Sequence, residues 1–152
     1  MPRVPSVITG SPVYGVPVGT LVYRDFALGL TVTSNVGYTS IASITDGSDT
    51  TAGAATQVTK PQWLQLDLGR ARVIRTARML YIDDTHLMKA GSMQSSMDGT
   101  AWTDVVTVSG NTSLLLVLPV MAVGRYWRHT TTDTNSAGTG VNIYTWNMFG
   151  YG

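Results

Sequence analysis

The chain has 152 residues, 12% of them charged, with a formal net charge of +1 and no cysteine. That length suits one domain able to bury a core without metals or disulfides. The sparse, balanced charge speaks against a surface that grips nucleic acid. The missing cysteines exclude disulfide frameworks, thiolate zinc sites and cysteine nucleophiles, and fit assembly in a cytosol.

Residues 1–24 open with "MPRVPSVITGSPVYGVPVGT", where Pro2, Pro5, Pro12 and Pro17 and Gly10, Gly15 and Gly19 interrupt every apolar run. A signal peptide needs an unbroken apolar stretch, so none is predicted. Prolines hold the backbone extended and delete donors, so the segment reads as an N-terminal arm that cannot fold alone. It holds still only when docked, on its own domain or on a neighbouring chain. Nowhere do about 18 apolar residues run together, and no membrane-spanning helix is predicted.

Beyond the arm, threonine, valine, glycine and serine dominate, and apolar residues recur with period two and never with a helical period beyond two turns. Strands are predicted at Leu30–Thr33, Trp63–Leu68, Ile74–Tyr81, Gly91–Ser96, Thr103–Val108, Ser113–Leu118, Arg125–Thr131 and Val141–Phe149. Turn residues separate them at Asp46-Gly47, Leu68-Gly69, Asp98-Gly99, Gly110-Asn111 and "TTTDTNSAGTG". About eight short antiparallel strands predict an all-β sandwich or barrel.

In "QWLQLDLG" the pleat puts Leu64, Leu66 and Leu68 on the core face and Trp63, Gln65 and Asp67 on the other. A lone buried carboxylate is costly, so Asp67 is expected to be paired, with Arg125 or Arg70. Scaffold carboxylates outnumber catalytic ones, which favours a structural role. His86 and His129 are the only histidines, no serine sits in a nucleophile motif, and no carboxylate pair has a defined spacing. No enzyme activity is expected.

Five segments keep a familiar order and spacing: "DFALGLTVTSN" (25–35), "ITDGSDTT" (44–51), "QWLQLDLGRARVIRTARM" (62–79), "MQSSMDGTAWTDV" (93–105) and "GRYWRH" (124–129). Over residues 25–152 the chain resembles a discoidin domain, the coagulation factor V/VIII type C domain. That family includes the family 32 carbohydrate-binding modules. The resemblance implies a galactose-binding-domain-like jelly roll, with ligands held by loops at one end. It gives Trp63, Asp67, Trp102 and Arg125 structural places. In its register Ile74, Ala77 and Met79 point inward and Arg75, Thr76 and Arg78 outward, the extra residue implying a bulge.

The resemblance also implies sites. A calcium ion would take oxygens from Asp46, Asp49 and Thr51; the other reading is a plain Asp-Gly turn capped by Asp46. Two departures bear on the ion, Gly53 in place of an aromatic residue and no acidic residue in "IYTWNMFGYG". A sugar site would use Tyr38 as aromatic platform and Asp83, Asp84, His86 and Lys89 as polar contacts; the other reading is a set of solvated loops. His129, where the family carries an aliphatic residue, is expected at the core edge, satisfied by a neighbour.

Two functional readings follow. The first is a bacteriophage virion protein, a head decoration, tail or fibre component, anchored to other virion proteins or copies of itself through residues 1–24 and meeting host-surface glycans. The second is a bacterial lectin or carbohydrate-binding module, secreted or at the cell surface.

Overall fold

The computed structural model describes residues 22–152, so all of the expected arm except its last three residues lies outside the described residues. Of those three, Tyr23 and Arg24 are part of the sheet. Strand β1 (Tyr23–Asp25) pairs antiparallel with the final strand, Tyr23 opposite Tyr151. The remaining strands are β2 (Val32–Ser34), β3 (Tyr38–Thr39), β4 (Gly53–Ala55), β5 (Gln62–Tyr81), β6 (Met88–Ser96), β7 (Thr103–Val108), β8 (Leu115–Thr134) and β9 (Asn142–Tyr151). One 3-10 turn, Ile41–Thr45, is the only helical element among the described residues.

Two strands of 20 residues each organise everything else. The four segments predicted as Trp63–Leu68, Ile74–Tyr81, Ser113–Leu118 and Arg125–Thr131 are the halves of β5 and β8, which pair along most of their length. The first half of β5 meets the second half of β8, which goes on to β6 and β7. The second half of β5 meets the first half of β8 and, on its other side, β9. The register breaks between Asp67 and Arg72, at Gly69 with φ 76°, a left-handed conformation that favours glycine. There β5 passes from one layer to the other. A second shift between Ile74 and Thr76 is the bulge that returns Ala77 and Met79 to the interior.

The interior follows from that geometry. Leu64, Leu66 and Leu68 are 1%, 0% and 8% exposed, while Trp63 and Gln65 are half-buried and Asp67 is exposed. Ile74, Ala77, Met79, Met93, Trp127, Trp146 and Met148 complete the core between the layers. Each such aliphatic side chain contributes roughly 1.5–3 kcal/mol through burial. Short strands β1, β3 and β4 escape sequence reading because two or three residues carry no measurable alternation.

Candidate functional site

Four connections converge at one end of the sandwich: residues 35–37, 56–61, 82–87 and 135–141. Side chains tie each to the next. Asn35 bridges the first two, donating its amide to the Pro61 carbonyl (2.9 Å) and accepting from the Trp63 amide (2.7 Å). The Lys60 ammonium donates to the Thr139 carbonyl (2.8 Å), and the Thr139 hydroxyl donates to the Thr85 carbonyl (2.8 Å). Beneath them Gln62, 2% exposed, donates to the Gln57 carbonyl and accepts from the Val141 amide. A buried amide with both ends satisfied fixes loop backbones that would otherwise drift.

Three of the residues proposed from sequence are hydrogen-bonded within the fold. Tyr38 packs against the core and donates its hydroxyl to the Val141 carbonyl (2.9 Å); burial pushes its pKa up. The ring therefore pins β3 to the last loop instead of standing as a platform. Asp83 accepts from the backbone amides of Thr85 and His86 and meets the His86 imidazole Nδ1 at 2.7 Å. Burial opposes ionisation of Asp83, yet these hydrogen bonds outweigh it and hold the carboxyl below its usual range. Asp83 and His86 thus close their own turn, the behaviour that makes aspartate a turn residue.

Asp84 and Lys89 remain exposed. The Lys89 ammonium lies 3.6 Å from Asp133, both side chains about half exposed, and Asp84 has no side-chain partner among the described residues. With exposed Gln57, Thr59 and Asn135 they give this end a polar, mixed-charge surface with no exposed aromatic ring among the described residues. Asp133 and the Lys60–Thr139 tie escape sequence reading. Only the fold brings Asp133 to Lys89, through the pairing of β8 with β6.

The loop expected to hold calcium is differently built. Asp46 accepts from the Ser48 amide (2.7 Å) and the Thr51 hydroxyl (2.6 Å), which hold its carboxyl below the usual range. Asp49 accepts two hydrogen bonds from the Arg78 guanidinium, 3.2 Å to Oδ1 and 2.9 Å to Oδ2, and one from the Thr145 hydroxyl, 2.7 Å. Arg78 is the chief reason its carboxyl is held low. Both oxygens of both carboxylates meet donors, one of them a cation. A calcium ion, which takes about 6 to 8 oxygens, would have to share both carboxylates with these donors or displace them. A β-carbon at Gly53 would stand 2.5 Å from Ile44 Cγ1, so the interior has closed where the resemblance expects an aromatic ring.

Asp67 and Arg125 form a bidentate pair on adjacent strands, Nε to Oδ1 and Nη2 to Oδ2 both 2.8 Å, which holds the Asp67 carboxyl low. Beside it the Arg128 guanidinium lies 4.0 Å from the ring centroids of both Trp63 and Trp102, and its Nε donates to Gln65. The two tryptophans thus clamp the β6–β7 connection onto β5 through a cation–π sandwich. His129 is 1% exposed and hydrogen-bonded to the Tyr81 hydroxyl at 2.8 Å, deeper than the core edge; burial brings its pKa down to about 4.

An antiparallel sandwich whose two long strands cross between layers and whose loops gather at one end defines the galactose-binding-like class of domain. The chain belongs to the F5/8 type C domain family, which matches residues 29–145. Among solved structures it is similar to a mutant form of chitosan-binding module 1 from a chitosanase/glucanase of Paenibacillus sp. IK-5. The TM-score is 0.76 at 20% identity, covering 85% of this chain and 100% of the module. It is also similar to CpGH89CBM32-5 of Clostridium perfringens in complex with GalNAc-β-1,3-galactose, with TM-score 0.72, 15% identity and 84% and 100% of the two chains covered. The family 32 carbohydrate-binding module of C. perfringens NanJ in complex with galactose gives 0.69 at 16% identity, with 85% and 100% covered. No curated protein sequence matches the chain.

Proposed function

We propose that this chain is a non-enzymatic carbohydrate-binding domain whose loop end takes a glycan through Asp84, Lys89 and Asp133. The observation that carries the reading is the contrast within that end: the loop backbones are locked by buried side chains, while these three groups stand exposed. A site rigid before binding loses little entropy on binding. Family membership and the sugar-bound modules of the same fold support it. With no exposed ring at that end among the described residues, recognition is by hydrogen bonds, and each copy binds weakly. Several copies on one particle would supply the missing affinity by avidity.

That requirement suits a structural or attachment protein of a bacteriophage virion, a head decoration, tail or fibre component, joined to its neighbours by residues 1–24. The virion placement rests on the composition of that segment. The second reading, a bacterial lectin or a module of a glycan-acting enzyme, is favoured by the chitosanase/glucanase origin of a similar module. A glycan array probed with the chain clustered on beads tests the shared part. Signal that disappears in Asp84→Ala/Lys89→Ala supports the loop end, and signal retained by that variant rules it out. Light scattering of the chain with and without residues 1–21, a cut that leaves β1 whole, separates the two readings. Assembly that needs the segment supports the virion protein, and a monomer in both cases supports the lectin.

A further inference from the structure

The loop 46–51 lies against the sheet at β9, and its fastening converges on one residue of the neighbouring strand. Thr145 on β9 directs its single hydroxyl hydrogen toward the Ser48 carbonyl and Asp49 Oδ1, both at 2.7 Å. Arg78 on β5 stands beside Asn147 of β9 in the ladder. Its Nη1 donates to Asp49 Oδ1 and, at 2.9 Å, to Asn147 Oδ1, while Nη2 donates to Asp49 Oδ2. The Asn147 amide then donates to Asp25 Oδ2 (2.8 Å), and Asp25 Oδ1 accepts from the Met148 amide (2.8 Å). One guanidinium therefore links the loop, β9 and, through Asn147, β1.

We propose that Arg78 is the resident cation of this loop, holding residues 46–51 on the sheet in the position a divalent ion would otherwise serve, so that the domain is stable without calcium. The chemistry is that of a planar fork meeting a carboxylate at both oxygens, a geometry that fixes direction as a spherical ion does not. A second cation at Asp49 would meet the charge of Arg78. The Thr51 hydroxyl, turned toward Asp46, donates its hydrogen within the loop.

Thermal unfolding and hydrogen exchange of the full chain test this. The wild type is expected to melt at the same temperature in chelator and in millimolar calcium. Arg78→Gln should lower the midpoint by about 2–4 °C and speed amide exchange in residues 48–51, with calcium restoring neither. Arg78→Lys keeps the charge without the fork and should fall between. If Arg78→Gln does not fold, Asp49→Asn reads the same contact from the loop side and should speed the same amides. A wild type that chelator destabilises and calcium rescues would overturn the proposal. So would unchanged exchange at 48–51 in the variant used.

Discussion

Two arginine–aspartate pairs of nearly the same geometry do different work in this molecule. Arg125 and Asp67 join β8 to β5 where the backbone ladder already holds the strands together. Arg78 and Asp49 join a loop to a strand that has no ladder with it. The worth of an ion pair thus depends on what else would keep its partners adjacent. Where the sheet does so already, the half-exposed pair adds direction and a fraction of a kcal/mol. Where, among the described residues, only Thr145 shares with Arg78 the side-chain hydrogen bonds from strand to loop, the same contact sets where the loop lies.

Core truncation supplies the scale on which to place both pairs, and it carries the largest expected effect. Leu66→Ala, between the layers, should cost about 2–5 kcal/mol in denaturant unfolding. Acid comes next. A histidine buried neutral binds its proton more readily in the unfolded chain, so its contribution is whole above about pH 6.5 and drains away as pH falls toward 4. The loss for His129 is on the order of 3 kcal/mol, and a neutral His129→Gln variant should lose that slope between pH 6.5 and 4. The two aspartates, both held low by their arginines, contribute above the ordinary carboxylate value and lose that contribution only at still lower pH. A pH scan therefore separates the buried imidazole from both pairs.

Smaller effects sharpen the contrast itself. Asp67→Asn should cost no more than about 1 kcal/mol and leave amide exchange in β5 and β8 unchanged. An Asp67→Asn loss larger than that of Arg78→Gln would reverse the comparison. The smallest stability effect belongs to Asp84→Ala and Lys89→Ala, within about 0.5 kcal/mol of wild type, since neither side chain is buried or holds a loop. Glycan binding is the property they should lose.

The leucines of β5 announce their faces because a pleat turns apolar alternation directly into burial. The Asp98-Gly99 turn is equally local: Gly99 takes φ 77°, and Asp98 accepts the Thr100 and Ala101 amides. Sequence places the strands of the long pair but divides each in two, since a bulge interrupts periodicity without ending hydrogen bonding. The candidate site is less legible. Asp83, Asp84, His86 and Lys89 sit on or beside one loop and look alike as polar residues, yet two fold back on their own turn and two face solvent. Tyr38 carries no local sign that its hydroxyl will meet a carbonyl 103 residues away.

By itself, then, the sequence determined the all-β class, the inward leucines of β5 and the tight turns, because these depend on periods of two and on backbone conformations of single residues. The tertiary structure alone decided that Arg78 sits on Asp49, that Asp133 joins Lys89 and that Tyr38 turns inward. Those outcomes arise from groups brought together across strands far apart in the chain, where the distance between side chains is set by sheet register and no local pattern records it.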